Sequence, residues 1–164
     1  MTALFSEVCG LPVAGADEVR LGAVRSLTVD AASGRVTHAR IGRGRWRRDT
    51  VVAWDDLRAA GPGLLAVRPA AGPAHRVPAR RELLGSEVLT ECGEEHGTVL
   101  DAAFDPSTGR LDAVLTSLGE VGADRLLGLG DHALVVRDAR GHHRSEVTDP
   151  RGRTSRRAAW AGPA

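Results

Sequence analysis

Apolar residues recur at every second position around Leu27 and Val29, and again around Ala102 and Phe104. A period of two places such residues on one face of a strand. Val24 and Val99 have the opposite parity, which predicts a bulge early in each strand. Each strand then runs into a turn, with Asp30 and Gly34 in the first case and Asp105 and Gly109 in the second. Aspartate accepts backbone N–H bonds at the start of such a turn, and glycine supplies the positive φ that closes it. A second strand follows at 35–41 and at 110–116, so the pattern predicts two β-hairpins. The later blocks 54–61 and 123–130 hold Leu57 and Leu126 at matching places. They read as one helical turn closed by glycine, followed by a last strand at 64–68 or 133–137.

These matches are parts of one internal repeat. Gly22, Val24, Asp30, Gly34 and Arg35 fall on Gly97, Val99, Asp105, Gly109 and Arg110 at a constant offset of 75. Asp55, Leu57, Gly61, Leu65, Val67 and Arg68 fall on Asp124, Leu126, Gly130, Leu134, Val136 and Arg137 at an offset of 69. The six extra residues of the first copy must lie between the two blocks, where it holds the stretch 42–48, GRGRWRR. Repeat 1 occupies 1–68 and repeat 2 occupies 83–139, joined by a linker at 69–82 rich in Pro, Gly and Arg. Residues 140–164 form a polar, Arg-rich tail with little to bury, expected to be disordered. A unit of about 60 residues buries only about 60% of its unfolded surface. The two units are therefore expected to pack on each other or on another chain. About five short strands and a helical turn in roughly 65 residues predict a small barrel, since closing a sheet removes its edges. Its interior would be filled by side chains.

Repeat 2 carries Leu84, Gly85 and Val88, then Gly93, Glu94, Gly97, Val99 and Asp101, then Thr108, Gly109 and Arg110, ending in the apolar run 133–137. This pattern resembles the PRC-barrel domain family, found in the photosynthetic reaction-centre H subunit and in the C-terminal half of a ribosome-maturation factor. Repeat 1 carries the same skeleton through Gly22, Val24, Asp30, Ser33, Gly34, Arg35 and the block 51–57. It departs at Glu18 and Val19, where repeat 2 has Gly93 and Glu94. The resemblance implies an all-β protein of two tandem PRC-type barrels with short helical turns, related by a pseudo-two-fold axis. It also implies a binding or assembly role, and it carries over no catalytic residues because the family shares no active site. Nothing in this chain matches the maturation factor's separate N-terminal domain.

The charge balance names no partner, with 22 basic residues against 21 acidic. All 22 are Arg, and Lys, Asn, Gln and Tyr are absent, as expected under codon pressure in a high-GC genome. Arg enrichment is therefore weaker evidence for phosphate binding than usual. No apolar run approaches the ~20 residues of a membrane span, and the N-terminal residues lack a secretory pattern. A cytoplasmic protein with no membrane span is expected. Cys9 and Cys92 read as buried free thiols rather than a redox pair. Glu91, Glu94, Glu95 and His96 form an acidic run that reads as a solvated turn. His142 and His143 lack the further ligands a structural zinc needs. Neither a phosphate loop nor a GxSxG elbow is present. The expectation is a protein that is not an enzyme and takes no cofactor or metal.

The basic stretch is the candidate binding site. Arg43, Arg45, Trp46, Arg47 and Arg48, with Arg40 before them, sit at the far end of a hairpin in repeat 1 alone, with no acidic residue among them. Such a loop could straddle phosphates with Trp46 stacked on a base. The alternative is a solvated loop, or a contact to acidic residues of repeat 2. With aromatics at 3% of the chain, a stacking platform of the RNA-recognition kind is not expected. The leading expectation is a protein-binding adaptor or assembly module, with homodimerisation as a further possibility. An RNA- or ribosome-associated factor using 40–48 and the tail is the alternative.

Overall fold

The structure, a computed structural model, describes residues 1–15, 17–44, 48–69, 71 and 81–139. The first half contains β2 (Pro12–Ala14), β3 (Arg20–Asp30), β4 (Arg35–Gly42), β5 (Thr50–Ala53), β6 (Leu57–Gly61) and β7 (Leu64–Val67). The second contains β8 (Glu87–Thr90), β9 (Glu95–Phe104), β10 (Leu111–Thr116), β11 (Gly119–Gly122), β12 (Leu126–Leu129) and β13 (Ala133–Val136). Strand order is β5-β4-β3-β2-β7-β6 in one sheet and β11-β10-β9-β8-β13-β12 in the other, the same path twice. All neighbours are antiparallel except β2 with β7 and β8 with β13. The protein is thus all-β, as two tandem barrels.

The alternation reads correctly into three dimensions. Val24, Leu27 and Val29 are buried on β3, and Val99, Ala102 and Phe104 on β9. The bulge residues are Arg25 and Leu100. Pairing steps from Val24 to Ser26 against β4 and from Val99 to Asp101 against β10, which leaves each outside the ladder. That explains the change of parity, because one extra residue rotates the chain to the other face. The turns are also as expected. Asp30 Oδ1 accepts from Ala32 N at 3.2 Å, and Asp105 Oδ1 from Ser107 N at 2.8 Å. Glu18 has φ 63°, the left-handed conformation that Gly93 adopts at the equivalent place in the second half.

Three features differ from the sequence reading. The blocks 54–61 and 123–130 are more than a helical turn. A 3-10 turn (Trp54–Asp56 or Ala123–Arg125) leads into β6 or β12, so each half has six strands. These strands escape notice because they sit at a sheet edge, where in β6 only Leu57 is buried. The barrel seam is spanned by these turns, with no β5–β6 or β11–β12 ladder among the described residues. Lastly, Cys92 is exposed and Cys9 only half-buried, because Cys92 lies in the tight turn closed by Gly93 N donating to Thr90 O.

The two halves share one core. Residues from both sheets form a single buried cluster that includes Phe5, Trp54 and Phe104. Phe104 is the centre of an aromatic trio, with ring centroids 5.2 Å from Phe5 and 5.3 Å from Trp54, both edge-to-face. Such pairs are worth about 0.5–1.5 kcal/mol each beyond the area they bury. The N-terminus strengthens the junction. β1 (Ala3–Leu4) pairs antiparallel with β9 of the second half, and α1 (Phe5–Val8) follows it. Ser6 N donates to Asp101 Oδ1 at 3.1 Å, and its hydroxyl to Asp101 Oδ2.

The hairpin turns meet head to head. Val36 N donates to Gly109 O at 2.7 Å, and Leu111 N to Gly34 O at 2.8 Å. Gly34 and Gly109 are repeat equivalents, as are Val36 and Leu111, so the pair of bonds is related by a pseudo-two-fold axis. Among the described residues, no helix is long and apolar enough to cross a membrane.

Candidate binding surface around the 42–49 loop

The basic stretch begins where the two halves diverge most. Eight residues separate Ile41 from its partner Thr50 across β4 and β5, whereas two separate Thr116 from Gly119 across β10 and β11. The difference of six is the whole change in repeat offset. Repeat 1 thus opens a two-residue β-turn into a long loop without disturbing the strands on either side.

Arg43 and Arg48 are exposed, while Arg45, Trp46 and Arg47 lie outside the described residues. Arg40 is on β4, opposite Val51 and Ser26, and so belongs to the sheet rather than to the loop. The loop base is held by its own cations. Arg43 Nε donates to Leu21 O at 2.7 Å, and Arg25 Nη2 donates to Gly44 O at 3.0 Å. Arg25 Nε also stands 3.7 Å from Asp49 Oδ1, a separation that contributes little for partly exposed groups. Between β3 and the loop is a shallow cleft of 460 Å³ lined by Val19, Arg20, Arg43 and glycine backbone.

The same end of the second half has the opposite chemistry. Leu100, at the bulge position equivalent to Arg25, is 63% exposed, and Leu118, in the β10–β11 turn, is 67% exposed. Ser117 fixes this turn, since its N–H donates to Thr98 O at 2.9 Å and its hydroxyl accepts from Thr98 N at 3.1 Å. The alignment contained the signal, for Leu100 stands where the repeat places Arg25. Opposite characters at equivalent places mark surfaces that serve different contacts.

Glu91, Glu94 and Glu95 are exposed around the β8–β9 turn. No cluster of three metal-ligating side chains occurs among the described residues, and His142 and His143 lie outside them. Burial raises the Cys9 thiol above its usual range, with the nearby Asp101 charge adding to the effect. Such a thiol is a poor nucleophile at neutral pH. Hydrogen bonds from the Ser107 hydroxyl and N–H hold the Asp105 carboxyl below its ordinary range, which suits a turn anchor.

The PRC-barrel domain profile matches the chain twice, over residues 2–68 and 78–149. No curated protein matches it.

Proposed function

Since this chain belongs to the PRC-barrel domain family twice over, we propose that it is a non-catalytic cytoplasmic module that binds another protein. Two units, 1–68 and 83–139 with 69–82 between them, act in this reading as one rigid body rather than as beads on a string. The observation that carries it is the pair Leu100 and Leu118. Two large apolar side chains are exposed at one end of the second half, where the first half presents a cationic loop. Exposed leucines are what a protein contact uses for its apolar centre, with charged residues at its rim.

The test compares Leu100→Glu with Leu118→Glu, singly and together, against the parent chain. Affinity capture from native lysate is performed with and without nuclease and read by mass spectrometry. Partners that survive nuclease, are retained by the parent and are lost from the double variant support the reading. Equal retention by parent and double variant overturns it. Light scattering at high micromolar concentration detects self-association, and a dimer abolished by Leu118→Glu would make the partner a second copy.

A second reading has its own observation. Arg20, Arg43 and Arg48 are exposed around the loop 42–49, a surface suited to phosphates of RNA. Against it, Arg43 already spends its Nε on the Leu21 carbonyl. RNA binding through this loop would weaken steeply with salt, because released counterions drive such association. Replacing Arg43, Arg45, Arg47 and Arg48 with Ala would abolish it, and unchanged binding by that variant would discard it.

A further inference from the structure

The repeat places Trp54 of the first half opposite Ala123 of the second. Trp54 lies against the second half's hairpin turn, and its Nε1 donates to Pro106 O at 2.9 Å. Beneath it Gly109 is buried, and a methyl group built there would stand 3.1 Å from the indole Cδ1. On the other side of the pseudo-two-fold axis, Ala123 faces the first half's turn. Gly34, the equivalent of Gly109, is only half-buried, and a methyl group on it would meet nothing within 4 Å. The indole's counterpart place is a cleft of 400 Å³, lined by Ala123, Gly34, Ser33, Arg110, Leu111 and Leu126 among others.

The cleft combines an apolar wall with charged groups, Arg110, Asp112 and Asp124 being in its lining. Its apolar side is Ala123, Leu111 and Leu126. An indole brings one donor and no acceptor. The repeat equivalent of its Pro106 acceptor is the Ala31 carbonyl, which already accepts from Gly34 N at 3.3 Å and keeps one lone pair for a second donor. Arg35 in the filled site donates to Thr108 O at 2.5 Å and stands 3.8 Å from Asp55. Its equivalent, Arg110, has no side-chain partner among the described residues, which leaves its guanidinium for the face of a ring.

We infer that this cleft is a receptor for an indole side chain and that Trp160 of this chain is its occupant. The chain leaves β13 beside the cleft. Arg137 O accepts from Arg125 Nε at 3.0 Å and Nη2 at 2.8 Å, and Arg125 is in the same 3-10 turn as Ala123. Trp160 is the one aromatic residue after Arg137 and follows an alanine, as Trp54 follows Ala53. Trp160 follows Arg137 by 23 residues, and a flexible chain of that length would have a root-mean-square span of roughly 26 Å. An attached ligand with that reach sees its site at an effective concentration on the order of millimolar, so modest intrinsic affinity fills the cleft. The inference is independent of the apolar contact at Leu100 and Leu118.

The test is NMR of the full chain with its tryptophans labelled with 15N. The chain has three tryptophans, and Trp160→Ala assigns one indole N–H signal by its loss. The expected result is a Trp160 signal displaced from its position in a synthetic 150–164 peptide, with nuclear Overhauser contacts from the ring to the Ala123 and Leu111 methyl groups. Ala123→Trp, which fills the cleft in the manner of Trp54, should return Trp160 to the free-peptide position. Coincidence of the Trp160 signal in the parent chain and the peptide, without those contacts, overturns the inference. Contacts seen only between differently labelled chains also overturn it, because they assign the cleft to a second copy. The parent-chain measurements decide the matter even if Ala123→Trp does not fold.

Discussion

Arg35 and Arg110, one residue repeated at a distance of 75, stand opposite each other in an isolated antiparallel bridge at the junction of the two halves. Flanking it are the Val36 N to Gly109 O and Leu111 N to Gly34 O bonds, at 2.7 and 2.8 Å. Each half thus offers the other the same two groups, as partners in a symmetric dimer do. Here the dimer is made from a single chain.

The turn glycines should respond unequally to substitution. Gly109 has φ 72°, and a methyl group on it would stand 2.9 Å from Val36 O and 3.1 Å from the Trp54 ring. Gly109→Ala should cost about 2–3 kcal/mol from strain and displaced neighbours. Gly34 has φ 62° and open space beside it, so Gly34→Ala should cost only the left-handed penalty of about 1 kcal/mol. Urea denaturation of the two variants measures the difference.

Because the halves share one buried cluster, unfolding should be a single cooperative transition, with calorimetric and van't Hoff enthalpies equal. Trp54→Ala should lower stability by about 3–5 kcal/mol, as for other buried tryptophans. Trp54→Phe keeps the aromatic packing on Phe104 but leaves the Pro106 carbonyl without its donor, and should cost about 1–3 kcal/mol. Two separate transitions in the parent protein would show that the halves are not one cooperative unit.

Glu18 is the only non-glycine residue with positive φ among the described residues. A left-handed glutamate costs about 1–2 kcal/mol, part of which glycine returns through its freer unfolded chain. Glu18→Gly, matching Gly93, should therefore raise stability by about 0.5–1 kcal/mol, read as a higher urea midpoint with an unchanged slope.

His38 on β4 has a buried Nδ1 with no hydrogen-bond partner among the described residues, and burial lowers its pKa from the ordinary 6.5. The folded protein holds the neutral ring while the unfolded chain takes up a proton below about pH 6.5. The unfolded state then binds more protons, so stability falls as pH drops from about 6.5 through the lowered folded value. His38→Ala, copying Ala113 of the second half, should flatten that decline in a pH series of thermal midpoints.

The local pattern made the hairpins legible because their information is local: alternation at Leu27 and Val29, aspartate and glycine at the turn, and a change of parity at the bulge. The place and length of the loop followed from the shift in offset alone. β6 and β12 were not legible, because edge strands bury too little to alternate. Nor was the pairing of Ala3 and Leu4 with Phe104 and Ala103, since two residues have no period. From sequence the basic stretch reads as a loop that could straddle phosphates, lie in solvent or meet acidic residues of repeat 2. Its sequence does not reveal that Arg25, from the bulge of β3, and Arg43 hold the loop base through backbone carbonyls. Trp54 and Ala123 were aligned by the repeat, but their relation to the opposite turn needed the junction itself.

The β1–β9 pairing also sets an order of events for a growing chain. Ala3 and Leu4 leave the ribosome about 100 residues before the strand that receives them. Until then the apolar Phe5 has no Phe104 to meet, and the first half is made with its N-terminal segment waiting. Loop-closure entropy must be met before so distant a contact contributes. Docking of β1 should therefore be among the last steps of folding. A nascent chain arrested after residue 82 would expose residues 1–8 to chaperone or protease.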